Sequence, residues 1–278
     1  MKWKNFFKSV GNMDPKEARS YMAEHPEGSY TLLDVRQPRE YEESRIPGAT
    51  LIPLPQLTDR LQELDPEKPV LTYCAIGGRS RAAAQLLAGQ GFNEVYNLKG
   101  GIKAWNGQTA EGSFDFGNGL SGLKEMTFHG VVRFALGMEK ELAAFYLLAA
   151  RETGDKDLAD LLRKLAGIEE KHQQHLLELY QTFSSTGEMK EPIEDGSAGP
   201  IMEGGFNPSD FYKQHQSLMK TSAHVLNLAM ILETQALDLY LRLAGFVENE
   251  KSKVILQRIG DEEKAHLTAL GKMLEAGQ

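Results

Sequence analysis

The 278-residue chain holds a single cysteine, Cys74, only two tryptophans, and no apolar run long enough to cross a bilayer as a helix. One cysteine excludes an intramolecular disulfide and a four-cysteine metal knuckle. A surplus of positive charge is also missing. Thirty-one Lys and Arg stand against 39 Asp and Glu, for a net charge of −8. That balance argues against a broad basic surface, so no nucleic-acid partner is expected. Residues Met1-Lys2-Trp3-Lys4-Asn5-Phe6-Phe7-Lys8 have no long apolar core and no small-residue cleavage site. No secretion signal and no membrane partner are read, and the expected compartment is the cytoplasm. What remains, 41% hydrophobic and 25% charged residues, is globular composition, enough for one large domain or two ordinary ones.

The texture changes near residue 110. Before it, β-rich runs (Thr31-Leu32-Leu33-Asp34-Val35, Val70-Leu71-Thr72-Tyr73, Glu94-Val95-Tyr96-Asn97-Leu98) alternate with helical stretches. Asp14-Pro15-Lys16-Glu17 is a helix start, with Asp as N-cap, Pro at N1 and Glu at N3. Arg79 to Gln90 reads as a helix closed by Gly91. Such alternation predicts a mostly parallel sheet with flanking helices. A stretch rich in Gly, Ser and Asn follows, and the chain is then helical over roughly 123–152, 155–183, 221–248 and 250–275. The expected domains are 1–108, a linker at 109–122, and 123–278. Hairpins 123–183 and 209–276 joined by a long crossover make a four-helix bundle of ferritin-like connectivity.

The helical half contains a gap-free repeat. Glu139, Tyr146, Glu169 and His172 recur 94 residues on as Glu233, Tyr240, Glu263 and His266, in registers running from Thr127 and Thr221. On the first helix of each half, Phe128, Val132, Ala135, Glu139, Leu142, Tyr146, Ala149 and their counterparts Ser222, Leu226, Ala229, Glu233, Ala236, Tyr240, Leu243 follow the spacing of a core-facing seam. The second helices carry seams through Leu158, Leu162, Leu165, Glu169, His172, Leu176, Leu179 and through Leu256, Ile259, Glu263, His266, Leu270, Met273. Residues three apart share a helix face, so each Glu-x-x-His points inward.

Four carboxylates in an apolar core need relief, by protonation or by metal. Two divalent cations would balance the four glutamates, with two neutral imidazoles added. One Glu from each of two helices and a Glu-x-x-His from each of the other two is the ligand set of di-iron and di-manganese carboxylate bundles. Oxygen and imidazole donors suit iron or manganese, with zinc as an alternative. The repeat also separates ligands from surface residues: Glu170 pairs with Lys264 and His175 with Ala269, so neither keeps its type.

The spacing Glu139-x6-Tyr146 with Glu169-x-x-His172, repeated in the second half, resembles the rubrerythrin branch of the ferritin-like superfamily. The resemblance implies two iron ions that react with peroxide or dioxygen, fed by an external electron donor, and a homodimer as one allowed assembly. Tyr146 and Tyr240 are then either residues that orient the carboxylates or amphipathic core tyrosines. Two departures stand out. The chain lacks the cysteines of a rubredoxin-type iron, and Ala236 stands where rubrerythrins tend to place an extra Glu.

Cys74 ends a buried strand and opens Cys74-Ala75-Ile76-Gly77-Gly78-Arg79-Ser80 before a helix. Gly77 and Gly78 let the backbone curl so that amides face the sulfur. The helix N-terminus and Arg79 add positive charge, and all three favour thiolate. A loop of this kind would hold a persulfide or an oxyanion. The segment resembles the active-site loop of rhodanese-type sulfurtransferases, as do Leu33-Asp34-Val35-Arg36, Glu40-Tyr41, Ile46-Pro47-Gly48-Ala49 and Leu98-Lys99-Gly100-Gly101-Ile102-Lys103-Ala104-Trp105. Arg45 stands where many rhodaneses have His. The resemblance implies catalysis by Cys74 with Arg79, an anion loop of Ala75, Ile76, Gly77, Gly78 and Ser80, and an ion-pair framework of Asp34, Arg36 and Glu40. Thiosulfate or a persulfide would be the donor, and an external thiol or cyanide the acceptor. The expected protein is a sulfurtransferase fused to a di-iron domain active in sulfide metabolism or oxidative stress. The alternative is an iron-storing or iron-sensing protein whose first domain carries persulfide or docks.

Overall fold

In a computed structural model, residues 10–112, 127–184, 202 and 206–276 are described, and the chain divides into two compact units, taken in turn.

The first unit is a five-stranded, wholly parallel sheet in the order β1-β5-β4-β2-β3. Its strands are β1 (Gly11–Met13), β2 (Thr31–Asp34), β3 (Thr50–Leu51), β4 (Val70–Tyr73) and β5 (Val95–Leu98). All four residues of central β4 are buried, as a strand covered on both faces requires. Because side chains alternate across a pleated strand, neighbours serve opposite cores. Leu33 and Val70 join Ile52, Leu57 and Leu87 on one side, whereas Leu32 and Leu71 join Ile46, Tyr73 and Leu98 on the other.

Helices α1 (Pro15–Glu24), α2 (Pro38–Glu43), α3 (Gly78–Gly89) and α4 (Gly101–Ala104), with a 3-10 segment at Leu54–Glu63, complete the unit. The helix start read at Asp14 is a full capping box. Asp14 Oδ1 accepts from the amides of Lys16 (2.8 Å) and Glu17 (2.9 Å), and Glu17 accepts from the Asp14 amide. Helix α3 begins one residue before the expected Arg79, and Gly91 follows it at φ +100°. Strands β1 and β3 are additions to the three strands expected.

The hydrogen-bonded edge of this unit extends past the expected boundary at residue 108. Arg45 and Ala110 exchange backbone hydrogen bonds (2.8 and 2.9 Å), and the Gly112 amide donates to Glu42 O (2.8 Å). Arg45 itself is fully buried. Its guanidinium donates to Gly112 O (2.8 Å) and stacks 4.9 Å over the Tyr41 ring. The remainder of the expected linker, 113–122, lies outside the described residues.

The second unit is built on α5 (Phe128–Glu152), α6 (Lys156–Ser184), α8 (Ser222–Phe246) and α9 (Glu250–Ala276). Each helix starts at a side-chain cap. Thr127, Asp155, Thr221 and Asn249 accept from the amides of Gly130, Leu158, His224 and Ser252 at 3.0–3.2 Å. The caps obey the 94-residue register as well, Thr127 with Thr221 and Asp155 with Asn249. Residues 123–126, placed in the first hairpin by the sequence, lie outside the described set. The expected second hairpin, 209–276, resolves into α8, α9 and a separate short helix, α7 (Pro208–His215), whose cap Asn207 accepts from Ser209 and Asp210 (both 3.1 Å). Phe211 of α7 packs into the bundle core with Phe145, Leu162 and Leu226.

The seams lie inward as read, with exceptions at their ends and at His266, which is half-buried. Ser222 is exposed, and Leu179 and Met273 are half-buried. Among the described residues, no helix is long and apolar enough to cross a membrane.

Two candidate functional sites

The Cys74 loop begins where β4 leaves the sheet and α3 starts. Gly77 adopts φ +93°, a conformation that favours glycine, and its amide donates to Cys74 Sγ at 3.1 Å. Ser80 Oγ stands 3.4 Å from the same sulfur. Burial of Cys74 works against ionisation, but hydrogen bonds from the Ser80 side chain and from the backbone of Ser80, Ile76 and Gly77 outweigh it, so the thiol sits below its ordinary range. Ala75, Gly77 and Arg79 are half-buried, and Ile76 is 67% exposed at the loop tip.

The loop is clamped from outside by a segment the sequence marks only as a motif. Ile102 and Lys103 amides donate to Cys74 O (2.8 Å) and Ala75 O (3.1 Å). With these carbonyls engaged, the loop's amides are left facing the sulfur. Gly101, at φ +59°, lies so close that a Cβ there would run into the backbone of Cys74, Ala75 and Ile76.

The expected framework of Asp34, Arg36 and Glu40 is two separate devices. Arg36 forms a buried fork with Asp34 (2.6–3.0 Å) and donates to Ser44 O. Glu40 pairs instead with Arg79, through two bonds of 2.7 and 2.8 Å. That bidentate bond holds the Glu40 carboxyl down to about 2. Arg79 therefore reaches the loop with its charge already engaged, as an anchor between α2 and α3.

In the bundle, the two triads expected from the repeat each come together: Glu139, Glu169 and His172, and Glu233, Glu263 and His266, with donor atoms within 4.8 Å of one another. Five of the six are buried and His266 is half-buried. The halves match in detail. His172 Nδ1 is 2.8 Å from Glu169 Oε2 and 3.6 Å from Glu139 Oε2, while His266 Nδ1 is 3.2 Å from Glu263 Oε2 and 3.6 Å from Glu233 Oε2. The two imidazoles stack, centroids 3.5 Å apart.

The donors fit a metal on their own evidence. Glu169 Oε2, Glu233 Oε2 and His172 Nδ1 are buried without an acceptable hydrogen bond, although His172 and Glu169 approach within 2.8 Å. Polar atoms rarely stay so in a folded core. Burial raises the Glu169 carboxyl. On Glu233 burial pushes the same way, but the nearby Glu263 and His266 side chains prevail and lower it. Glu169 and Glu233 are thus pushed in opposite directions. The set is two oxygens and one imidazole nitrogen per half, a donor set for iron, manganese or zinc.

Tyr146 and Tyr240 are buried on α5 and α8, two turns beyond Glu139 and Glu233. Three features escape sequence reasoning. Asn97 holds Ser80 (2.7 Å) from the neighbouring strand; it stands directly before the Leu98-Lys99-Gly100-Gly101 motif. Arg45, read only as a departure, anchors the end of the first unit. Glu262 pairs with His175 across α9 and α6 (3.0 Å), and burial raises its carboxyl. His175 is exposed, as read, yet partnered.

A parallel α/β unit with a cysteine in an amide-lined loop and a helical bundle with paired carboxylate–histidine triads define a two-domain protein. Comparison with known proteins agrees. The family described as rhodanese-like domain matches residues 14–108, and that described as ferritin-like domain matches residues 129–274, over half the chain. The chain belongs to the ferritin-like domain family and carries a rhodanese-like domain in front of it. Curated relatives match the first unit. Uncharacterized protein YqhL of Bacillus subtilis is 51% identical over 77 residues, covering 28% of this chain and 61% of that one. The putative sulfur carrier protein YrkF of the same organism is 40% identical over 81 residues, covering 29% and 44%. An Arabidopsis thaliana rhodanese-like/PpiC domain-containing protein is 43% identical over 79 residues, covering 27% and 26%. The chain thus spans less than two thirds of each of these relatives. Among solved structures, a rhodanese-like domain protein from Staphylococcus aureus is 26% identical with a TM-score of 0.35, covering 37% of this chain and 100% of that one.

Proposed function

We propose that the first domain transfers sulfane sulfur through a persulfide on Cys74. The observation that carries this reading is the donor set on the sulfur, the Gly77 amide at 3.1 Å and the Ser80 hydroxyl at 3.4 Å, in a loop whose carbonyls are held away by Ile102 and Lys103. The Cys74 thiolate attacks the outer sulfur of a donor such as thiosulfate. A bond forms between Sγ and that sulfur, the donor's sulfur–sulfur bond breaks, and sulfite leaves with the electron pair. An external thiolate or cyanide then attacks the outer sulfur and releases the Cys74 thiolate. No net oxidant is consumed. With one cysteine in the chain, no internal thiol resolves the persulfide, so the acceptor is a separate molecule. The similarity to YrkF, a putative sulfur carrier protein, supports the same class.

In the second domain, Glu139, Glu169 and His172 would hold one iron ion, and Glu233, Glu263 and His266 the other. Bound there, iron supplies redox chemistry toward peroxide or dioxygen, with electrons from an external donor, in sulfide metabolism or oxidative stress. The protein's part is to bind the ions in a dry core and to set donor charge by burial. Two measurements test the pair of readings. Thiosulfate:cyanide sulfurtransferase activity is expected in the wild type and absent in Cys74→Ser; equal activity ends the first reading. Elemental analysis is expected to give about two metals per chain, lost in Glu139→Ala/Glu233→Ala; full retention ends the second.

A further inference from the structure

Behind the Cys74 loop, one proton faces two acceptors. Ser80 Oγ lies 3.4 Å from Cys74 Sγ and 2.7 Å from the Asn97 amide oxygen. Ser80 and Asn97 are buried, 0% and 4% exposed, so the competition is settled by protein atoms. A serine hydroxyl has a single proton. Given to Asn97, that proton leaves only lone pairs facing an anionic sulfur.

An amide offers a way out. Its oxygen and nitrogen ends are nearly equal in size, and a half-turn of the side chain exchanges them. With nitrogen toward Ser80, Asn97 donates to the hydroxyl, and the hydroxyl proton is free to point at Cys74. The amide oxygen then faces Asn12, whose side chain is 3.1 Å away. Asn12 is exposed and turns without penalty to donate in its place. The distances between the groups are fixed from the strand side as well. Thr72 Oγ1 lies 3.0 Å from both Ser80 O and Tyr96 O, tying the start of α3 to the strand that carries Asn97.

We propose that Asn97 is a positioning residue for the sulfur chemistry: its amide donates to Ser80 and so commits the Ser80 proton to Cys74 sulfur when that sulfur is anionic. This rests on the sulfur-transfer reading of Cys74, but its test does not require turnover. The chain has one cysteine, so the rate of alkylation by iodoacetamide against pH reports Cys74 alone in the full-length protein. Ser80→Ala is expected to raise the midpoint of that profile by about one pH unit, the scale of one lost hydrogen bond to the charged form. Asn97→Leu, of the same branched shape, is expected to raise it by a comparable amount. In the Ser80→Ala background, Asn97→Leu is expected to add nothing, because Asn97 acts through Ser80.

Additive shifts, or an unmoved midpoint in Asn97→Leu beside a shifted one in Ser80→Ala, would overturn the proposal. Asn97→Asp provides a second variant if Asn97→Leu does not fold. Its carboxylate only accepts, so it is expected to raise the midpoint more with Ser80 present than in Ser80→Ala; equal shifts in both backgrounds would reduce it to a field effect and overturn the relay. Loss of the sulfur-transfer reading alone would show as absent activity with the coupled alkylation shifts intact.

Discussion

The imidazoles of His172 and His266 lie face to face, 3.5 Å between centroids and 4° from parallel. At that separation the two flat rings are in stacking contact. Each ring turns Nδ1 toward the two carboxylates of its own half. The pair therefore marks the seam between two equivalent donor sets.

Stability of the helical unit is expected to depend on metal. A ligand bound only by the folded state contributes about 4 kcal/mol at a thousandfold excess over Kd. Calorimetry should place the transition of the metal-loaded protein above that of the chelated protein. Glu139→Gln/Glu233→Gln should narrow the gap between the two. Superimposable traces for loaded and chelated wild type would refute the six-donor centre.

The Glu40–Arg79 pair ties the Cys74 loop to acid sensitivity. The folded Glu40 carboxyl, at about 2 against 4.5 for the ordinary group, is depressed. Its stabilising contribution is therefore complete above about 4.5 and is lost as pH falls toward 2. In Glu40→Gln, unfolding free energy measured by denaturant should fall less steeply across that window. An unchanged acid limb would show that the pair is too solvent-screened to matter.

Gly101→Ala is expected to damage the loop twice. The residue is held at φ +59°, and its added methyl would strike the loop that carries Cys74. A strained backbone position of this kind costs roughly 1–3 kcal/mol. Denaturant unfolding should show that loss, and alkylation of Cys74 should slow because the amides no longer converge on sulfur. Wild-type behaviour in both assays would mean that the motif plays no part in shaping the loop.

Arg45→Ala should destabilise the first unit by more than about 2 kcal/mol, since it opens a cavity and strips the Tyr41 and Gly112 carbonyls of a donor. Limited proteolysis near residue 112 should accelerate in the same variant. Equal cleavage rates would detach Arg45 from the Ala110–Gly112 edge.

Much of this architecture is legible in the sequence. Buried parallel strands such as Val70–Tyr73 read as short apolar runs, and the Asp14 box announces its helix. The six donors are legible because a repeat compares a chain with itself: surface residues drift between halves while seam donors keep their type. That same logic is blind to anything built once. Glu262 has Ile168 as its counterpart and His175 has Ala269, so their ion pair leaves no mark in the register. Asn97 reaches Ser80 across 17 positions, a contact with no spacing signature. Strands β1 and β3, of three and two residues, are too short for periodicity to show. Helix α7 has a proper start in Asn207-Pro208, hidden inside a crossover rich in proline and glycine.

The caps share the register of the donors, so each half of the bundle is a complete unit from helix start to last imidazole. Damage confined to one half leaves the other's three donors in place. The centre should thus fail in halves, passing through a state with one intact triad before it is lost.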